Sequence, residues 1–487
     1  MRAVLFSIAV AVFALSVSLI LPAAIAYSIG EPLVGRLVLY IALGTFLSGS
    51  MLLALAGRVR SPGTMGSLSI NLAVWTALPF AAALPMADLA GLSYADALFE
   101  SVSGLTTTGA SLLENVNEAP RVVIVLRSQL HWIGGLMTIF TILLVLAPLG
   151  LGGLSVQALP RSRGRVSLLG SVRLADLAFT LTLAYLVVTL VAFMAFQLVG
   201  VGSFAALNLA MTAVSSGGFL PFDDALLDRA GIGGLLVFTI VLIVASTSIF
   251  WHGMILRGQT ARLRAHRESY IVVLVTVALA FVLFLSLTRL TGPGERWSNA
   301  VESLFNAASL VSTSGIESRP GILTLVALPV VLFVMLAGGS AYSTSGGLKL
   351  YRLGGMVVQS GHELHRLVYP SGVLPNRFGS QYYDVAMIRA IWSFFVAAIV
   401  TIAIGAVLVA PSAVNFEAAL VATVSAFAGA GPVYEAGWAE PGTPPWPGWE
   451  GFATPSKLVL SAVMVLGRIE VLSVVALFSL RYWRSRT

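Results

Sequence analysis

Ten long apolar runs, near residues 3–29, 33–57, 66–89, 128–150, 172–200, 231–257, 268–290, 321–350, 383–410 and 456–481, alternate with polar stretches. Each is long enough, as a helix, to cross roughly 30 Å of hydrocarbon, which takes about 20 residues. Four shorter segments, 94–105, 203–214, 297–310 and 415–427, lie between these runs and mix apolar with hydroxyl-bearing positions. A helix of about a dozen residues is roughly 18 Å long, half a bilayer, so it enters the membrane and cannot cross.

Each half-length segment ends in a glycine-containing stretch. The first is Leu105-Thr106-Thr107-Thr108-Gly109-Ala110-Ser111, and its relatives are Ser215-Ser216-Gly217-Gly218-Phe219, Ser312-Thr313-Ser314-Gly315-Ile316 and Ala428-Gly429-Ala430-Gly431-Pro432. With Gly109, Gly217, Gly315 and Gly431 aligned, Phe99 matches Phe305, Ser103 matches Ser309, and Thr107 matches Ser215 and Thr313. That is weak internal symmetry of a fourfold repeat. Glycine beside hydroxyl-bearing residues sets permissive backbone and free carbonyls side by side, the chemistry that replaces a cation's water shell. A half-helix dipping from one face brings its partially negative C-terminal pole to mid-membrane, which favours a cation without any fixed carboxylate. Irregular backbone at that depth must be buried by protein or line water, and four re-entrants around one axis meet that condition together.

Composition narrows the class. Of 487 residues 57% are hydrophobic and 10% charged, and the mean hydropathy of +0.93 marks a polytopic membrane protein. There is no cysteine, which excludes disulfides, thiolate metal sites and cysteine catalysis. The net charge of +7 reads as membrane topology and not as nucleic-acid binding, because the basic residues fall on alternate loops. Arg2, Arg58, Arg60, Arg161, Arg163, Arg165, Arg173, Arg257, Arg262, Arg264, Arg267, Lys349, Arg352, Arg366, Arg377, Arg481, Arg484 and Arg486 share one side. That side is cytoplasmic by the positive-inside rule, with both termini on it. The opposite loops carry Asp96, Glu100, Glu114, Glu118, Asp223, Asp224, Asp228, Glu295, Glu302, Glu317, Glu417, Glu435, Glu440 and Glu450. Such a face concentrates cations. Residues 3–21 behind Arg2, with Ala24-Ile25-Ala26 following, imitate a signal peptide, but the run is too long for one and reads as a retained first helix.

Two features interrupt the late spans. Residues 338–347 hold four glycines, three serines and a threonine, so a continuous helix there is disfavoured by several times roughly 1 kcal/mol from the glycines alone. The alternative use of small residues, close helix packing, stays open on composition. Arg468 lies deep in the last span, where a guanidinium is costly and therefore functional by default. Glu470, two positions on, points to another helix face and is not its direct partner. His362 and His365 around Glu363 lack the spacing of a metalloprotease motif. His131 and His252 fall near opposite membrane faces. Gly150, Gly152 and Gly153 follow no strand, so they are no nucleotide loop, and no catalytic constellation marks an enzyme.

The order span, half-helix, glycine loop, span resembles the Trk branch of the Trk/Ktr/HKT superfamily of potassium transporters over essentially the whole chain. The residues that carry the resemblance are Leu105 to Ala110, Gly338 to Lys349, Gly467-Arg468-Ile469-Glu470 and His131-Trp132-Ile133-Gly134-Gly135. It implies an all-α integral membrane fold of ten transmembrane helices in pseudo-fourfold arrangement. An N-terminal helix pair (1–60) would precede pore repeats at 61–160, 161–260 and 261–355, and 356–487 would hold a cytoplasmic linker with repeat 4. It implies that potassium, as substrate, meets a filter built by Thr107, Thr108, Gly109, Ser215, Ser216, Gly217, Thr313, Ser314, Gly315, Gly429, Ala430 and Gly431. Backbone carbonyls of Thr107, Thr108, Ser215, Ser216, Thr313, Ser314, Gly429 and Ala430 would hold the ion, and a glycine in every loop goes with potassium over sodium. The fourth loop departs from the family pattern in lacking asparagines before Gly431-Pro432.

Beneath the filter the resemblance places a gate of Gly338, Gly339, Ser343, Thr344, Ser345, Gly346 and Gly347, and the pore-facing reading of Arg468 completes it. It further implies a homodimer in the cytoplasmic (inner) membrane of a prokaryote and a cytosolic ring of nucleotide-binding regulatory subunits. Nucleotide would then bind only through that partner. The segments 161–173, 257–267 and 349–377 suit docking of such a ring, and equally suit topology or contact with anionic membrane lipid. The alternative function is a proton- or sodium-coupled potassium (or sodium) carrier, for which Glu470 is the one carboxylate inside a span.

Overall fold

The computed structural model describes residues 1–57, 63–149, 171–260, 263, 266–292, 295–369, 377–378, 381–439 and 444–478. Among the described residues, eight helices are long and apolar enough to cross a membrane: Arg2–Ser28, Pro32–Ala56, Met65–Ala90, Arg121–Leu146, Asp176–Leu198, Leu226–Ser246, Arg267–Thr291 and Val385–Ser412. The other two expected spans, 321–350 and 456–481, are interrupted helices. The 321–350 run forms a helix only at Leu328–Ala337, turns non-helical through the glycine-serine stretch, and resumes as Leu350–Val368. The last run breaks between Thr454–Ile469 and Val471–Phe478 at Glu470, whose φ is 61°. The 231–257 run also divides, into Leu226–Ser246 and Ile249–Leu256. One two-residue antiparallel pairing, Arg377 with Tyr382 and Phe378 with Gln381, is the strand structure among the described residues.

The half-helices form close to where the sequence puts them, at Tyr94–Leu105, Ser203–Ser215, Arg296–Val311 and Phe416–Ala428. Local chemistry starts two of them: the Ser93 hydroxyl accepts the Asp96 N–H at 3.2 Å and Asn415 Oδ1 accepts the Ala418 N–H at 2.7 Å. The N-terminal pair is stitched together where Ser16 Oγ donates to the Ala42 carbonyl at 2.9 Å. Gln129 Nε2, donating to the Ser18 carbonyl at 2.6 Å, fastens that pair to repeat 1.

Apolar packing forms two clusters. One joins the N-terminal pair with Phe99 and Leu105 of half-helix 1 and with Phe427, Trp449 and Leu460 of the fourth repeat. The other joins Leu209 and Ala213 of half-helix 2 with Phe238 and with Phe305 of half-helix 3. Large apolar side chains such as Phe179, Val191, Leu198, Leu274, Phe281 and Val407 point outward instead. A water-facing surface would not tolerate that many, whereas hydrocarbon does.

Close approach of spans to half-helix ends fixes the distance of the re-entrants from their frame. A Cβ on Gly134 would lie 1.8 Å from the Leu105 carbonyl oxygen, and one on Gly467 would lie 2.1 Å from that of Phe427. These are corresponding places in repeats 1 and 4, and both need glycine because backbone occupies the space. Gly134→Ala and Gly467→Ala are each expected to cost about 1–3 kcal/mol by overpacking. Thermal melting of detergent-purified protein would show a midpoint lowered by several degrees, and an unchanged midpoint would contradict the close approach.

Candidate ion pathway

The four loops leave their half-helices by one hydrogen-bonding pattern. Thr108, Gly217, Ser314 and Ala430 each donate a backbone N–H at 2.9 Å, to the carbonyls of Ser103, Thr212, Ser309 and Ser425 respectively. The residue before each donor is left-handed: Thr107 at φ 56°, Ser216 at 51°, Thr313 at 63° and Gly429 at 75°. For the three non-glycine residues this costs roughly 1–2 kcal/mol each, a strain that survives only where the surroundings dictate it.

This pattern corrects the register of the second loop by one residue. Ser216 corresponds to Thr107, Gly217 to Thr108, and Gly218, not Gly217, to Gly109, Gly315 and Gly431. Ser215 falls one place earlier, opposite Thr106, Ser312 and Ala428. Alignment by glycine identity had no means of choosing between Gly217 and Gly218, and the backbone turn makes the choice.

The loops meet. Gly431 donates its N–H to the Thr108 carbonyl at 2.6 Å, and Ser314 Oγ donates to the Gly217 carbonyl at 2.6 Å. A Cβ on Gly109 would lie 2.3 Å from Gly218 Cα, and one on Gly431 would lie 2.3 Å from the Ala110 nitrogen. Thr107, Thr108, Ser215, Ser216, Thr313, Ser314 and Ala430 are all fully buried. Four helix C-terminal poles thus converge on one centre, each contributing partial negative charge.

Behind the loops lie residues that the sequence reading placed in solvated acidic loops. Glu100 and Glu302 are buried on the half-helices. Glu100 pairs with Arg127 at 2.8 Å and accepts the Leu112 N–H at 2.9 Å. Glu302 pairs with Arg319 at 3.1 Å and accepts from Ser318 Oγ at 3.2 Å. Both carboxylates are compensated, so they add less to a negative mouth than their count suggests. A carboxylate in the body of a membrane half-helix was the signal that marked them, since such a group needs a partner. Asn306 Oδ1 accepts the Ser318 N–H at 3.1 Å. His131 is not near a membrane face. Its ring bonds the Gly104 carbonyl at 2.8 Å and accepts N–H groups from Gly218 and Phe219 at 3.0 and 3.1 Å.

In the segments that follow loops 3 and 4, outside the spans, two further carboxyls titrate high. Burial raises Glu317 to about 7 against the pull of the Leu323 and Gly321 N–H groups. Burial, and then the neighbouring Glu450 carboxylate, raise Glu435 to about 8. That face therefore gains negative charge as pH rises through 7 to 8.

On the other side of the loops lies the glycine-serine segment. Gly346 donates its N–H to Thr313 Oγ1 at 2.6 Å, and Thr344 Oγ1 donates to the Val214 carbonyl at 3.3 Å. Gly346 also abuts half-helix 4, for a Cβ there would lie 1.8 Å from the Ala428 carbonyl oxygen. Arg468 supplies the contact to repeat 1: its Nε donates to the Thr106 carbonyl at 2.5 Å, and a terminal nitrogen donates to Thr107 Oγ1. Its other terminal nitrogen donates to the Thr344 carbonyl at 2.8 Å. The segment and Arg468 together touch the loop or the half-helix end of all four repeats. Gly338 and Gly339 hold the near end of the segment: Cβ atoms there would lie 2.3 Å from the Gly346 carbonyl oxygen and 2.6 Å from that of Ser246.

Charged groups hold this segment in place: Lys349 and Arg352, expected on the cytoplasmic side, Glu470, and Glu268, which the sequence did not single out. Glu268 accepts the Ala341 N–H at 2.6 Å, Lys349 Nζ donates to the Ser345 carbonyl, and Arg352 pairs with Glu470. Glu470 is thus the partner of Arg352 rather than of Arg468. Ser343 bonds the hydroxyl of Ser345 at 2.6 Å, and Gly347 is left-handed at φ 74°.

His252 bonds Thr247 Oγ1 at 2.8 Å, away from His131. No cluster of three or more histidine or carboxylate groups suited to a metal occurs among the described residues. Gly150, Gly152, Gly153, Arg58, Arg60, Arg161, Arg163, Arg165, Arg262, Arg264, Glu440 and the C-terminal arginines lie outside the described residues.

Fold and site together define a multi-pass membrane protein with four loops meeting one another and a glycine-serine segment packed against them. The chain belongs to the TrkH family of cation transport proteins, whose model matches residues 49–484. This is a transport family and not an enzyme family. The Trk system potassium uptake protein TrkH of Halomonas elongata is 28% identical over 454 residues, covering 91% of this chain and 92% of that protein. Its counterpart in Escherichia coli (strain K12) is 28% identical over 423 residues, covering 84% of each. The crystal structure of the potassium transporter TrkH from Vibrio parahaemolyticus shares the fold, with a TM-score of 0.84 at 24% identity over 99% of both chains.

Removing the Glu100 carboxylate would leave Arg127 buried without a counter-charge. Glu100→Ala is expected to destabilise by about 3–5 kcal/mol. A monodisperse variant with unchanged melting midpoint would show that the pair does not support the loop.

Proposed function

We propose that this chain conducts potassium inward across the cytoplasmic membrane through the four converging loops. The acidic-loop face is then external, and both termini lie in the cytoplasm. The observation that carries the reading is the shared turn of the four loops. It brings Thr107, Ser216, Thr313 and Gly429, then Thr108, Gly217, Ser314 and Ala430, then Gly109, Gly218, Gly315 and Gly431 to matching levels. Peptide oxygens at these levels replace the ion's hydration shell, while the half-helix poles offset the charge. The names of the relatives, potassium uptake proteins, support the choice of ion.

Arg468 and residues 338–347 form the gate. A guanidinium bonded to Thr106, Thr107 and Thr344 places positive charge directly beneath the filter, where it opposes a cation in a low-dielectric setting. Conduction requires that this plug withdraw. The Leu350–Val368 helix continues from the plug, and with its Arg-bearing neighbours it is the surface on which a cytosolic ring of nucleotide-binding regulatory subunits would pull. The relatives' designation as parts of a Trk system supports such a partner, and the assembly we infer is a homodimer with one pore per chain.

Coupled carriage would use a free midplane carboxylate, and the pairing of Glu470 with Arg352 argues against that role. In reconstituted vesicles the reversal potential is expected to track the potassium gradient alone; dependence on proton or sodium gradients would favour the carrier. Arg468→Ala is expected to raise potassium flux several-fold, and an unchanged or lower flux in well-folded protein would contradict the gate. Gly109→Ser and Gly315→Ser are expected to lower potassium over sodium preference, and equal permeability ratios before and after would remove these glycines from the filter.

A further inference from the structure

Loops 1 and 3 are braced from within their own repeats. Glu100 accepts the N–H of Leu112, and Asn306, at the matching position, accepts the N–H of Ser318. The second repeat lacks this brace. In the register set by Ser103, Thr212 and Ser309, the acceptor's place is taken by Leu209 and the donor's by Pro221, which has no N–H.

His131, from repeat 1, stands in. Its Nε2 accepts two backbone N–H groups, those of Gly218 and Phe219, and so carries no proton. The proton is therefore on Nδ1, which donates to the Gly104 carbonyl at 2.8 Å near the end of half-helix 1. The imidazole stacks on Phe219, with ring centroids 4.3 Å apart at 6°, and the Arg127 guanidinium lies 4.0 Å from the centroid of that phenylalanine ring. Through Arg127 the chain of contacts returns to Glu100, the brace of loop 1. Gly217 has its own explanation here: a Cβ on it would lie 1.9 Å from the His131 ring. That glycine is required by the imidazole and not by a left-handed turn.

We propose that His131 is the positioning residue for the second filter loop, supplying across the repeat boundary the acceptor that repeats 1 and 3 carry themselves, and that it thereby sets potassium over sodium preference. The proposal rests on the filter reading above. Without the imidazole, two N–H groups lose their partner at a depth where water is scarce, and the loop turns to satisfy them.

The test uses the full-length chain in proteoliposomes, with rubidium-86 and sodium-22 uptake measured in parallel. His131→Leu removes both contacts, His131→Asn keeps only a group near the Nδ1 position, and His131→Gln restores an acceptor near the Nε2 position. The rubidium-to-sodium ratio is expected to fall by about three- to tenfold in the leucine and asparagine variants, the scale of one or two net hydrogen bonds. The glutamine variant should stay within about twofold of the parent, because the acceptor is restored. Equal ratios for asparagine and glutamine, or an unchanged leucine variant, would overturn the proposal. If leucine prevents folding, the asparagine and glutamine pair decides, and misfolding of glutamine as well would assign His131 to assembly alone and also overturn it. Gly315→Ser, which does not touch His131, separates the two ideas. A lowered ratio there with a flat His131 series rejects the brace and keeps the filter, whereas no change in either rejects the filter.

Discussion

Peptide groups that leave a helix in the middle of a membrane have no water to turn to, and their satisfaction governs this structure. Each of the four re-entrants ends in the same backbone turn, with an N–H folded back onto its own half-helix at 2.9 Å. What remains unsatisfied is met by the neighbouring loops, as when Gly431 donates to Thr108 and Ser314 to Gly217. The loops support one another, and strained residues such as Thr107 and Thr313 persist there because their surroundings dictate the backbone.

Charge follows the same rule. Three buried carboxylates around the pathway pair with a cation from a different segment: Glu100 with Arg127, Glu302 with Arg319, Glu470 with Arg352. Arg468 differs from these, because its bonds go to carbonyls and a hydroxyl of the first loop and the glycine-serine segment rather than to a carboxylate. None of those contacts is to an anion. The glycine-serine segment is bonded to the same groups that shape the four loops.

The repeats are alike in backbone and unlike in support. Half-helices 1 and 3 hold their loops with Glu100 and Asn306, while the second depends on His131 from outside its repeat. A chain that contains four repeats can distribute such tasks, whereas four identical subunits would have to repeat them. The asymmetry also places the left-handed glycines unevenly, with Gly109 and Gly315 adopting positive φ and Gly218 and Gly431 not.

Hydropathy and length determined the membrane class, the positions of the half-helices to within a residue or two, and the break at residues 338–347. These are local consequences of composition, because apolar length decides insertion and a glycine cluster decides against helix. Arg468 was legible for the same reason, its cost in hydrocarbon. Only the tertiary structure decided the register of the second loop, since Gly217 and Gly218 are identical in sequence terms and differ in which one meets a neighbour's backbone. It also decided that Glu100 and Glu302 are buried and compensated, that Glu470 belongs to Arg352, and that His131 reaches the second loop. Each of those facts depends on what stands across a gap from the side chain, between segments as much as 118 positions apart in the chain, and nothing local encodes it.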